Sequence, residues 1–107
     1  MNGIFISGPY SNYPWYRLPF DNAARQLERA GFRPINPARI VPRNWPWDMS
    51  MKLCLDLIDI SDAVLQLDGW EKSVGAVKEW HHAIAANKPV YHSVDALRRG
   101  REGGSHG

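Results

Sequence analysis

The sequence predicts a small α/β domain built on a parallel sheet, and three observations carry that expectation. Short apolar runs bounded by Gly, Pro or Asp recur at residues 3–7, 32–36, 63–67 and 89–92. Longer stretches with helical spacing of apolar residues separate them. The resulting order, β-α-β-α-β-α-β, calls for crossover helices, which cover both faces of the sheet with right-handed connections. At 107 residues the chain has room for one core, so a single domain over residues 1–99 is expected, followed by a disordered tail over 100–107 that is rich in Gly.

Taken in order, residues 3–7 form a buried strand that ends at Gly8-Pro9. Residues 8–20 carry Pro, Tyr, Ser and Trp without a period and read as a loop. Asp21 is placed to cap a helix over 22–30, with Ala23, Ala24, Leu27 and Ala30 on one face and Gly31 as its stop. In the next strand, 32–36, Pro34 argues for a sheet edge. Residues 37–47 look irregular. The run 48–61 is apolar on nearly all sides, and its length favours a buried helix over a strand. A strand over 63–67, a helix over 73–87, a strand over 89–92 and a short helix over 94–99 complete the pattern.

Composition excludes some functions. No segment is long and apolar enough to span a membrane, and a strand begins almost at once, which leaves no room for a signal peptide. Cys54 is the only cysteine, so a reducing, cytoplasmic setting is expected and Cys54 reads as a small core residue. A net charge of +2 is too small to point to a nucleic-acid polymer. Its distribution is uneven. Six arginines and no lysine occupy the chain up to Arg43, while seven of the eleven acids lie between positions 48 and 79. Faces that pack within one domain explain this; so does a site with arginines on one wall and carboxylates on another.

In parallel α/β sheets ligands bind beyond the carboxyl ends of the strands. Here those ends carry Ser7-Gly8-Pro9-Tyr10, Asn36-Pro37, Asp68-Gly69-Trp70 and the residues after Tyr91. Gly8-Pro9-Tyr10-Ser11 is no phosphate loop of the Gly-x-Gly-x-x-Gly or Walker type, so no dinucleotide or triphosphate cofactor is expected. The four histidines lack metal-ligand spacing, and no Gly-x-Ser-x-Gly elbow is present, so neither a metal site nor a serine hydrolase is expected.

Carboxylate chemistry remains. Gly75 and Glu79 lie one helical turn apart, so a ligand could approach Gly75 beside a waiting carboxylate. The same spacing also fits close packing at Gly75 with Glu79 solvated, and on spacing alone that reading carries more weight. Asp62 and Asp68 flank the strand that precedes the helix and supply partner carboxylates. Ser73 at the helix start is either a phosphate contact or a plain N-cap. Tyr10, Tyr13, Trp15, Trp45, Trp47 and Trp70 put rings on loops near the proposed cleft, suited to stacking on a nucleobase or to covering the core.

Ile6-Ser7-Gly8-Pro9-Tyr10, Asn36-Pro37-Ala38, Asp62, and Asp68-Gly69-Trp70-x-x-Ser73-x-Gly75-x-x-x-Glu79 with Asn87-Lys88-Pro89-Val90 resemble the nucleoside 2-deoxyribosyltransferase-like superfamily. The resemblance covers residues 2 to about 92 and is nearest to a small branch common in bacteriophage and bacterial genomes. It implies a Rossmann-like (flavodoxin-like) fold and an enzyme of nucleotide metabolism, in the host cytoplasm if phage-encoded. The implied reaction cleaves or exchanges the N-glycosidic bond of a 2′-deoxynucleoside or its 5′-monophosphate. By the same resemblance Glu79 is the nucleophile and Asp62 binds the sugar or manages protons. Ser73 matches a serine that contacts the 5′-phosphate, and Tyr10 lies where an active-site aromatic is found. Ser7, Gly8, Pro9, Asp68, Gly69, Trp70 and Gly75 complete the implied pocket, and relatives finish their sites with a second subunit, so a homodimer or higher oligomer is expected. The Gly-rich basic loop of the monophosphate hydrolases is replaced here by Gly8-Pro9-Tyr10-Ser11. A non-catalytic nucleotide-binding or sensing module is the rival reading, in which Glu79 only hydrogen-bonds a ribose hydroxyl.

Overall fold

A computed structural model describes residues 3–9 and 16–104. Four parallel strands, β1 (Gly3–Ser7), β2 (Arg33–Ile35), β3 (Ala63–Gln66) and β4 (Val90–Tyr91), form one sheet in the order β2-β1-β3-β4. Helices α1 (Arg17–Arg29), α2 (Pro37–Ile40), α3 (Trp47–Asp59), α4 (Val74–Ala85) and α5 (Val94–Gly104) connect and cover them. The α/β class, the parallel sheet and the edge position of the Pro34 strand all follow the sequence expectation.

Strand pleating divides the core in two, because successive side chains of a strand leave by opposite faces. Ile4, Ile6, Ala63 and Leu65 face α1 and α5, where Phe20, Ala23, Leu27 and Leu97 complete a cluster. Phe5 and Val64 face α3 and α4 and pack with Cys54, Ile58 and Ala83. The central strands are buried on both faces and therefore carry near-continuous apolar sequence. From β1 the chain moves to one edge through α1, then crosses back to β3 with α3 on the other face. The order thus reverses between β1 and β3, the place where such sheets open a crevice.

Four expectations need correction. Helix α1 starts at Arg17, not after Asp21. Buried Tyr16 and Phe20 extend its apolar stripe N-terminally, and Pro19 sits in the first turn, where a missing N–H costs nothing. Asp21 is inside the helix, and its carboxylate accepts hydrogen bonds from Asn36 Nδ2 at 3.0 Å and Arg39 Nη2 at 2.7 Å. The segment after β2 contains α2, because Asn36 Oδ1 caps the Ala38 N–H and Pro37 occupies the first helical position. At the C-terminus α5 continues through Gly104 rather than stopping at 99. Gly100 allows this, since a Cβ there would overlap the Tyr91 ring. Arg101 adds a contact, with its guanidinium 4.3 Å from the centre of the Phe32 ring. Among the described residues no helix is long and apolar enough to cross a membrane.

Candidate active site

A cleft of about 650 Å³ opens at the carboxyl ends of β1 and β3, between the N-terminal turns of α3 and α4. Its floor starts at β1. Ser7 is fully buried and directs its hydroxyl to Glu79 Oε1 at 2.7 Å. Gly8 follows because the Leu67 side chain fills the space at its back; a Cβ would come within 3.0 to 3.2 Å of Leu67 carbons. Gly69 turns the chain after β3 with φ +86°, a left-handed conformation that glycine adopts without strain. A 3₁₀ turn at Trp70–Lys72 then leads to Ser73.

Helix α4 presents Ala76, Glu79 and Ala83 to the sheet, at i, i+3 and i+7. A carboxylate on that stripe is unusual, and only 3% of Glu79 is exposed. Burial is the main cause of a pKa raised from 4.5 to about 7; hydrogen bonds from Ser7 and from the Cys54 thiol of α3 work against it. The carboxyl group in turn helps burial push the Cys54 thiol up, well beyond its ordinary range. Cys54 is buried as expected, and its contact with Glu79 is a feature that its apolar sequence context concealed.

The other predicted residues divide. Ser7, Gly8, Pro9, Gly69, Ser73, Gly75 and Glu79 converge on the cleft. Tyr10 lies outside the described residues. Ser73 caps α4, its Oγ accepting from the Ala76 N–H at 3.2 Å, while also lining the cleft. Gly75 serves packing as well as the cleft, for a Cβ would stand 3.3 Å from Met51 Sδ of α3.

Asp62, Asp68 and Trp70 are not part of the cleft lining. Asp62 precedes β3, at the amino end of a parallel sheet, and accepts the Gly3 N–H at 2.8 Å. About five residues of extended chain separate it from the carboxyl end, on the order of 16 Å at ~3.3 Å each. It is therefore no partner for Glu79. Asp68 is exposed to solvent. The Trp70 ring stacks between Trp80 and His92, with centroids 5.9 and 5.8 Å away. No second carboxylate lines the cleft among the described residues.

Trp45 and Trp47, whose rings were expected on loops near the cleft, line its wall, and Arg43 joins them. Lys72, Tyr16 and Met51, which motif reading did not single out, complete the walls; Lys72 and Arg43 bring positive charge, the others apolar surface. The segment carrying Arg43, Trp45 and Trp47 is held from both sides: the Arg43 guanidinium lies 5.4 Å from the centre of the Tyr16 ring, and Lys78 Nζ lies 5.8 Å from that of Trp47. Neither signal is local in sequence, since each pair joins distant elements.

Residues 2–92 match the model of a domain family of unknown function, DUF4406, and the chain belongs to that family. The matched region holds the whole cleft and all four strands, while α5 lies beyond it. A comparison with curated proteins found no match.

Proposed function

We propose that the cleft is an active site that cleaves or exchanges the N-glycosidic bond of a 2′-deoxynucleoside or its 5′-monophosphate, with Glu79 as nucleophile. The observation that carries this reading is the buried carboxyl group of Glu79, held by Ser7 at the floor of a cleft at the switch point of the sheet. The resemblance of Ser73-x-Gly75-x-x-x-Glu79 to deoxyribosyltransferase-like enzymes supplies the substrate class.

In the first step an ionised Glu79 oxygen attacks C1′ of deoxyribose. The C1′–N bond breaks with its electron pair going to the base, which takes up a proton from solvent. Water, or the nitrogen of a second base, then attacks C1′ and gives up its proton to solvent; the ester bond to Glu79 breaks and the carboxylate returns. A retaining two-step route suits an oxocarbenium-like centre beside one carboxylate. With no second carboxylate lining the cleft among the described residues, proton delivery to the leaving base falls to solvent, which favours bases that leave readily. Trp45 and Trp47 offer faces for the base. Lys72, Arg43 and the open N–H groups of the first turn of α4 suit a 5′-phosphate.

Exposed apolar residues gather in the segments around the cleft mouth: Trp45, Trp47, Met49 and Val74. A second copy of the chain covering them forms a homodimer and closes the site.

The test is a panel of deoxynucleosides and their monophosphates, with free base followed by chromatography. Wild type and Asp62→Asn should release base alike, and Glu79→Gln should release none. Undiminished release by Glu79→Gln removes the nucleophile assignment. Tight binding without release, for any panel member, makes the cleft a sensing site in which Glu79 hydrogen-bonds the sugar.

A further inference from the structure

Glu79 has a polar neighbourhood that the proposed reaction does not use. Ser7 and Gln66 are register partners on β1 and β3, and the pleat sends both side chains to the face of the sheet covered by α3 and α4. Both are essentially inaccessible to solvent. Gln66 Nε2 donates to the Ala76 carbonyl of α4 at 3.3 Å, which brings its amide to the turn that carries Glu79. Gln66 Oε1 is a buried side-chain acceptor without a hydrogen-bond partner among the described residues. Leaving such an acceptor unmatched is costly, so a partner in some state of the site is expected.

The Ser7 hydroxyl has one proton to give. With Glu79 ionised, that proton goes to Oε1, the arrangement seen at 2.7 Å. With Glu79 protonated, the carboxyl O–H can donate to Ser7 Oγ, and the Ser7 proton must turn elsewhere. We propose that Gln66 is a positioning residue for Glu79, its Oε1 accepting the Ser7 O–H whenever Glu79 holds a proton. As register partners on strands about 4.8 Å apart, with side chains on the same face, Ser7 and Gln66 start from positions from which a rotamer change can bring the two groups together. The chain Glu79→Ser7→Gln66 then satisfies every member in the protonated state, while the ionised state leaves Gln66 Oε1 unmatched. Gln66 thereby holds proton affinity in the carboxyl group, in the same direction as burial. Other groups around Glu79 are the Cys54 thiol from α3 and, along the cleft walls, Arg43, Lys72 and the Tyr16 phenol.

The inference rests on Glu79 as the working carboxylate, but its test needs no substrate. Protein labelled with 13C at glutamate side-chain carboxyls is titrated by NMR between pH 5 and 9, with Glu79 assigned from its absence in Glu79→Gln. Gln66→Met should lower the Glu79 midpoint by about half a pH unit or more, a roughly three-fold or greater loss of proton affinity. Ser7→Ala should raise the midpoint by removing a donor to the carboxylate, and in that background Gln66→Met should cause no further shift. In wild type the Gln66 side-chain amide resonances should move with the same midpoint as Glu79, a readout that survives if Gln66→Met fails to fold. A midpoint unmoved by Gln66→Met overturns the proposal, as does an equal drop in the Ser7→Ala background. A flat Gln66 amide signal across the Glu79 titration does so too. Failure of base release in the panel would remove the proposed reaction and leave these titrations unaffected.

Discussion

Replacing Glu79 by glutamine should make the protein more stable at alkaline pH while ending its activity. The carboxyl group ionises near 4.5 when solvated and near 7 in the fold, chiefly because it is buried. At about 1.4 kcal/mol per pH unit that difference corresponds to about 3 kcal/mol. The sign follows from proton counts. Between pH 4.5 and 7 the folded state keeps a proton that the unfolded chain has released, so stability falls as pH rises through this window and levels off above it. Glutamine occupies the same volume, can accept from Ser7 and never ionises. At pH 8 Glu79→Gln should therefore exceed wild type by up to about 3 kcal/mol, and at pH 4.5 the two should nearly coincide. For a domain of this size the pH 8 gain corresponds to a rise in Tm of about 10 °C or more. Urea unfolding followed by circular dichroism at pH 4.5, 6, 7 and 8 measures it directly. A gap between the variants that stays constant across this range would refute the reasoning, because the buried carboxyl would then cost nothing to ionise. The same quantity sets the pH profile of the proposed reaction: with ionised Glu79 as the proposed nucleophile, base release should climb through pH 7 and fall roughly ten-fold for each unit below it.

Two more outcomes follow from the cleft and its mouth. Ser73→Ala should destabilise the fold by about 1 kcal/mol through loss of the α4 cap, and should weaken monophosphate binding more than nucleoside binding in calorimetry; equal losses for both ligands reduce Ser73 to a cap. Light scattering at tens of micromolar protein should give at least twice the 12.2 kDa chain mass, with Trp47→Glu shifting it toward monomer; a wild-type monomer refutes the dimer.

Much of the architecture was legible because the strands are short, apolar and punctuated, and because buried parallel strands need no alternation to be recognised. The carboxyl-end rule then placed Gly8, Pro9 and Gly69 at one opening, with Ser7 beneath it hydrogen-bonded to Glu79. Asp62 failed for a reason contained in the same rule. It precedes its strand, so in an all-parallel sheet it falls at the far end from residues that follow their strands. Glu79 was chosen for its neighbour Gly75, whereas the stronger sign was its place on the Ala76–Ala83 stripe, a charge where the helix meets the sheet. The start of α1 was hidden by an aromatic, proline-bearing stretch with no visible period, and Tyr16 and Phe20 proved to be its helical anchors. The contacts of Arg43 with Tyr16 and of Lys78 with Trp47 join elements far apart in sequence, which no local pattern encodes.

The two rims of the sheet also constrain how copies of this protein can meet. One rim is β2, three residues long with a proline at its centre, and the other is β4, two residues long and entered through Pro89. Proline has no N–H to offer, and strands this short expose too few backbone groups to recruit another strand. Extension of the sheet from one molecule into the next is thereby closed off. Self-association is left to side chains, and the exposed Trp45, Trp47, Met49 and Val74 are the largest apolar ones near the opening. A dimer formed over these residues, as proposed above, would cover the cleft mouth, so ligand occupancy and protein concentration should then influence each other.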